Sequence, residues 1–296
     1  VRFPSAFDIR GAEQWYHMNK AKNFNEFQDA LKEAAMPGLN IVYADKDDNI
    51  MFIDNGQFPK KDKHYDWWHL LPGDTSTTLW KANDYYPYDS LAKVINPKCG
   101  YVFNNNNTPF NCTAKEDNLN RNTHPLKDFY FAYNDNRSLR TSYLFAHSGK
   151  LSYDDFKAIK YDQQFMNPAY NYAMVNIEEV LHLDTKKYPQ IKEGMNVLKK
   201  WNRKADVNNK QATMVAIIIN NIIKKIIDEG NFPAVKTRIK EWFLVQCVED
   251  AQKYLKKNYG KLEIPLGDLQ HLVRGKKELP IGGIPDVNAA MWMKKH

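Results

Sequence analysis

The feature that most constrains this chain is a change of hydrophobic period at Pro37-Gly38. Before it, Phe27, Ala30, Leu31 and Ala34 recur at helical spacing, so a helix starting near Asn23 or Asn25 buries one stripe. Proline cannot continue a helix and glycine readily ends one, so the helix stops there. After it, Leu39 to Ala44 and Asn49 to Asp54 are extended runs joined by the polar turn Asp45-Lys46-Asp47-Asp48. That pattern spells a hairpin, ended by Gly56 and Pro59. An earlier helix over about Ile9 to Lys20 precedes both.

Residues 60–95 are rich in loops and aromatic rings (Trp67, Trp68, Trp80, Tyr85, Tyr86, Tyr88) and cover something rather than form a regular layer. A third strand is expected from Gly100 to Phe103. Beyond residue 136 the texture turns helical. Helices are expected over Arg137 to His147, from a cap at Ser152-Tyr153-Asp154-Asp155 to about Tyr161, and near 169–182, 189–202, 210–229 and 234–258. The tail from Pro265 is punctuated by Gly267, Gly275, Pro280, Gly282-Gly283 and Pro285, and is expected to be irregular. Strands flanked by helices, then a helical block, make an α+β arrangement.

At 296 residues and 43% hydrophobic, the chain has material for one large or two ordinary domains. Met214 to Ile219, Ile222-Ile223 and Ile226-Ile227 are interrupted by Asn220-Asn221 and Lys224-Lys225, the pattern of a buried helix and not of a membrane span. The net charge of +7 is spread over pairs such as Lys60-Lys61, Lys199-Lys200 and Lys276-Lys277. Scattered pairs read as solvated faces; a nucleic-acid binder would cluster them and line up its Trp and Tyr rings as one exposed stacking platform. Of three cysteines, Cys247 reads as core, while Cys99 and Cys112 either bridge or stay as free thiols.

The chemistry centres on Asn96 to Pro109, where a short apolar stretch runs into Asn104-Asn105-Asn106-Asn107 before Thr108-Pro109. Asparagine tolerates left-handed backbone and caps itself, so the run suits a turn. Its carboxamide is also a neutral donor that can face a developing oxyanion, so an amide-cleaving site is the second reading beside the turn that an isolated run favours. There is no GxGxxG, P-loop, GxSxG or HExxH, and no two of the eight histidines have metal-ligand spacing on one element. Ser90-Leu91-Ala92-Lys93 has an SxxK spacing without the motifs that accompany it in serine acyl-transferases. No metal or cofactor is expected.

Taken as ordered blocks, the chain resembles the penicillin amidase (penicillin acylase) family of N-terminal-nucleophile hydrolases. Trp15 to Phe24 is similar to its Trp-rich helix. Leu39 to Asp45, Asn49-Ile50 and Gly56 to Pro59 follow its hairpin series. Tyr86-Pro87-Tyr88 and Asn96 to Tyr101 precede the Asn run, and Arg137 to Arg140, Leu198 to Asn202, Gly267 to His271 and Gly282 to Asp286 follow it.

The resemblance implies a partial αββα sandwich of N-terminal-nucleophile type with an appended helical block. Residues 1–135 would be part of the sandwich core, 136–260 a helical block packed on the same domain, and 261–296 the irregular start of a C-terminal part. It implies hydrolysis of a linear amide by an N-terminal Ser or Cys whose own α-amine is the base. The substrate would be a small-molecule amide such as a β-lactam antibiotic, an acyl-homoserine lactone or a lipopeptide. Asn106 matches the oxyanion donor and Arg140 the arginine near the amine of the nucleophile, while Trp15 and Leu39 match acyl-site positions. A plain core role is the alternative for Trp15. The family's nucleophile lies upstream of its Trp-rich helix and residue 1 here is Val, so an internal piece of the large chain, inactive alone, is expected. Its partner would be the remainder of the same precursor, in a periplasmic or secreted setting, with neither nucleic acid nor membrane involved. A non-catalytic scaffold of the same fold is the competing expectation.

Overall fold

The computed structural model describes residues 3–4, 8–130, 134–168, 177–228 and 239–291. Two compact units, Val1–Tyr133 and Asn134–His296, each carry their own hydrophobic core.

The first unit opens with α1 (Gly11–Lys20) and α2 (Phe24–Lys32). Asn23 starts α2 because its Oδ1 accepts the Glu26 N–H at 2.9 Å, while the Glu26 carboxylate accepts from the Lys22 N–H and the Asn23 amide. First-turn donors that would otherwise lack partners are thereby satisfied. The expected hairpin forms from β1 (Leu39–Ala44) and β2 (Ile50–Asn55), antiparallel, with Leu39 opposite Asn55 and Ala44 opposite Ile50. Its turn closes on Asp45, whose Oδ1 accepts the N–H groups of Asp47 at 2.9 Å and Asn49 at 3.0 Å. Asp48 takes the left-handed backbone that short polar residues tolerate.

The third strand is β3 (Lys93–Ile95), paired to the other edge of β2 in the order β1-β2-β3. It is not Gly100 to Phe103, as the apolar run suggested. That segment is tied into its own loop: the Phe103 N–H donates to the Cys112 carbonyl at 2.9 Å, and the Tyr101 carbonyl accepts from the Thr113 hydroxyl at 2.8 Å. Side chains of β2 alternate between faces. Met51 and Ile53 pack with Leu31 of α2, Phe58, Leu91 and Leu126, while Phe52 packs on the opposite side with Val94 and Cys112. Burial of each such side chain contributes roughly 1.5–3 kcal/mol, so the strand buried on both faces anchors the unit. Cys99 and Cys112 are free thiols, and burial pushes the Cys112 thiol up to about 12.

The second unit comprises α3 (Asn136–Ala146), α4 (Tyr153–Lys160), α5 (Ile177–Leu181), α6 (Lys192–Leu198), α7 (Ala212–Asp228), α8 (Glu241–Tyr259), α9 (Leu266–Leu269) and the hairpin β4 (His271–Arg274) and β5 (Lys277–Pro280). Of the helices expected near 169–182 and 234–258, residues 169–176 and 234–238 lie outside the described residues. The Ser152–Asp155 capping box that starts α4 forms as expected. In α7 every residue from Ala212 to Ile219 is buried, which is why that first half of the helix is apolar on every side but for Thr213. Among the described residues no helix is long and apolar enough to cross a membrane. The tail, expected to be irregular, folds into α9 and the hairpin instead. Gly275 sits at φ 59° in the two-residue turn between Arg274 and Lys277, conformational freedom that a tight hairpin needs. Sheet and helix in the first unit and a helical second unit make the α+β class expected.

Gly38 and Gly56 let the chain before β1 and the chain after β2 touch: a Cβ on Gly56 would stand 2.6 Å from the Gly38 Cα. Gly56→Ala is therefore expected to destabilise the fold by about 1–3 kcal/mol, read as a lower denaturant midpoint. An unchanged midpoint would mean the two segments part without cost.

Candidate functional site

The four asparagines form a turn whose amides are consumed in an ordered way. Asn104 Oδ1 accepts the Asn106 N–H at 2.9 Å, and Asn107 Oδ1 accepts the Asn105 N–H at 2.6 Å. The Asn107 amide then donates to the carbonyls of Asn111 at 2.8 Å and Thr108 at 3.2 Å. Asn107 is buried, whereas Asn106 is exposed at the turn with φ 61°. Asparagine is among the few side chains that occupy that left-handed region readily. Turn chemistry and an accessible Asn106 thus coexist in one segment.

A polar residue of β1 reaches the same turn. The Asn40 amide donates to the Asn107 carbonyl at 3.0 Å and to Asn104 Oδ1 at 3.2 Å. Asn40 falls within the Leu39 to Asp45 block that resembles the family's hairpin series, but the sequence assigned it no role of its own.

Trp15 and Leu39 are both surface residues, 53% and 39% exposed, so a core role for Trp15 does not hold. Next to Trp15 in the chain and to Leu39 in the ladder lies a buried carboxamide pair. Gln14, the neighbour of Trp15, donates to Asn55 Oδ1 at 2.8 Å and accepts the N–H groups of Ala35 at 2.7 Å and Met36 at 3.0 Å. Asn55 donates on to the Leu31 carbonyl at 2.9 Å and stands opposite Leu39 in the ladder. Buried amides that both donate and accept resist reorientation, so α1, α2, the segment after it and β2 are held by one knot. Neither Gln14 nor Asn55 carried a signal in the sequence beyond adjacency to a singled-out residue.

Beside Asn55, Asp54 is 9% exposed, and burial pushes its carboxyl up to about 7. The Tyr130 hydroxyl lies close enough to oppose that shift without closing a hydrogen bond. Tyr130 itself is pushed up by burial and by the Asp54 charge.

Arg140 lies in the second unit, on α3. Its guanidinium makes a bidentate pair with Asp162 at 3.0 and 2.9 Å and a longer bond to Gln164. Arg137 pairs with Asp135 at 3.2 Å and approaches Asp286. An open cavity of about 680 Å³ in this unit, lined in part by Glu179, His182, Tyr188 and Trp242, includes none of the residues singled out from sequence. Among the described residues no group of His, Cys, Asp and Glu could hold a metal ion. Trp80 and Tyr88 are buried, so the aromatic segment does not present all its rings as one stacking platform.

The raised Asp54 has a signed consequence. The folded state binds its proton more tightly than the unfolded chain, so the associated stability is complete below about pH 4 and is lost as pH rises toward 7. Asp54→Asn should flatten that fall, which is at most about 1.4 kcal/mol per pH unit in the wild type. Unfolding midpoints that track each other from pH 4 to 8 would contradict the assignment.

The geometry can be set beside known proteins. The model of the family "Penicillin amidase" matches residues 3–294. Penicillin G acylase of Escherichia coli is 36% identical over 96 residues, 32% of this chain and 11% of that protein. The structure of a thermostable penicillin G acylase from Alcaligenes faecalis superposes with a TM-score of 0.52 at 16% identity, covering 85% of this chain and 52% of that one. This chain therefore spans about half of that solved chain, and at such identity the likeness speaks for the fold alone. Because the family match runs almost end to end over the chain that carries the asparagine turn, the chain belongs to the penicillin amidase family.

Proposed function

We propose that the protein carrying this chain is an acylase that hydrolyses linear amide C–N bonds, with Asn106 donating to the oxyanion. The observation that carries this is the exposed Asn106 on left-handed backbone, in a turn pinned through both Asn104 and Asn107. An oxyanion donor must be accessible to substrate and held in place beforehand, and this turn exposes Asn106 while tying its backbone N–H to Asn104.

On this reading, an N-terminal Ser or Cys of the mature precursor attacks the amide carbonyl, and its α-amine takes the hydroxyl or thiol proton. The resulting tetrahedral oxyanion accepts a hydrogen bond from the Asn106 carboxamide, which adds no charge to the ground state. Collapse breaks the C–N bond, and the leaving amine takes the proton back from the α-ammonium. Water then cleaves the acyl-enzyme to a carboxylic acid and the free nucleophile. Trp15 and Leu39, exposed beside the Gln14–Asn55 knot, would line the acyl site. Arg140, held in one orientation by Asp162, would supply a fixed cation that lowers the pKa of the amine. The substrate would be a β-lactam antibiotic, an acyl-homoserine lactone or a lipopeptide, and the remainder of the precursor would complete the site in a periplasmic or secreted setting.

One observation favours a second reading, a non-catalytic binding protein of the same fold. The charge of Arg140 is already compensated by Asp162, which weakens its effect on any distant amine.

In the intact protein, Asn106→Ala should lower kcat by about 10²–10³ while folding and autoprocessing persist. Unchanged turnover would remove Asn106 from the site and leave the binding reading. Trp15→Ala should change the ranking of acyl substrates by kcat/KM. If every substrate instead falls by the same factor, Trp15 does not line the acyl site.

A further inference from the structure

Asn40 is the second residue of β1, and its carboxamide has two N–H bonds to give. Both go to the asparagine turn: one to the Asn107 carbonyl at 3.0 Å, the other to Asn104 Oδ1 at 3.2 Å. Asn104 Oδ1 in turn accepts the Asn106 N–H at 2.9 Å. Asn40 thus grips the residue immediately after Asn106 and the side chain that caps Asn106 from before. A weaker return contact runs from the Asn104 amide to the Asn40 carbonyl at 3.5 Å.

We infer that Asn40 is a positioning residue that locks the Asn106 carboxamide toward the developing oxyanion, acting through Asn104 and the Asn107 carbonyl. The inference rests on the oxyanion role proposed above and deepens it. The physical reason lies in where the rigidity comes from. A turn built only from its own asparagines is local and pivots as a unit about its ends. Two hydrogen bonds from Asn40 connect it instead to the first pairs of the β1–β2 ladder, where Asn40 stands opposite Asp54 and Leu39 opposite Asn55. Those bonds make no contact with substrate, so they serve the transition state only by fixing the direction of Asn106. An aspartate at position 40 has the same shape and no N–H. It would set carboxylate oxygens against the Asn104 and Asn107 oxygens and reverse the grip.

The test uses the intact, autoprocessed protein and a chromogenic acyl-anilide. Asn40→Asp should lower kcat by about tenfold to a hundredfold with KM within twofold of wild type. Asn40→Ala, which removes the donors without adding charge, should give the same pattern and covers failure of the aspartate variant to fold. In the Asn106→Ala background, either change should cost less than twofold more in kcat, because there is no donor left to aim. Multiplicative losses in that background would overturn the inference, as would a rise in KM at constant kcat or an unchanged kcat in both Asn40 variants. These outcomes stand apart from failure of the acylase reading, since Asn106→Ala alone tests that reading.

Discussion

The register of β1 against β2 is the constraint on which the rest of the first unit depends. Strand side chains alternate with a period of two, so a slip by one residue would exchange the faces of every side chain in β1. In the observed register Leu39 stands opposite Asn55 and Asn40 opposite Asp54. Leu39 therefore shares a side with the carboxamide knot, and Asn40 shares the other with the asparagine turn. What holds the register is not the hairpin turn alone. Ile41 and Tyr43 of β1 pack against the cluster that holds Met51 and Ile53, and a one-residue slip would turn both away from it.

The candidate site is built from amides more than from charges. Gln14, Asn55, Asn104 and Asn107 each both donate and accept while Asn40 donates twice, and their hydrogen bonds tie segments from α1 to the loop after β3. Carboxamides suit this work because burying them carries a small desolvation cost once paired, whereas a buried carboxylate shifts its pKa, as Asp54 does. Neutral scaffolding also leaves the electrostatics to be set by few groups. In the second unit the opposite choice was made: Arg140 and Asp162 form a half-buried bidentate ion pair that orients the guanidinium and compensates its charge.

The two readings of the asparagine run turned out not to compete. The turn that Asn residues favour is what puts Asn106 on left-handed backbone, and that turn leaves it exposed while Asn107 is buried. Much of the local structure was legible: the Asn23 and Ser152 caps, the hairpin with its Asp45 turn, and the buried apolar start of α7 each follow from residue type and spacing. The expected strand at Gly100 to Phe103 and the expected irregular tail failed for one reason. Short apolar runs carry too little periodicity to say whether a ladder partner exists. Phe103 found a loop carbonyl, whereas Leu272 and Val273 found β5 across the Gly275 turn.

By itself the sequence determined the α+β class, the order of the principal helices and the hairpin, and a resemblance to the penicillin amidase family strong enough to single out Asn106, Arg140, Trp15 and Leu39. Those are properties of residue type at fixed spacing, which a linear reading captures. Only the tertiary structure decided that Trp15 lies at the surface, that Cys99 and Cys112 remain separate thiols, and that Asn40, Gln14 and Asn55 hold the candidate site. Hydrogen-bond partners 41 residues apart, as Gln14 and Asn55 are, or 67, as Asn40 and Asn107 are, leave no periodic trace along the chain. They exist because packing of β2 brings distant segments together, and that packing is a property of the folded core.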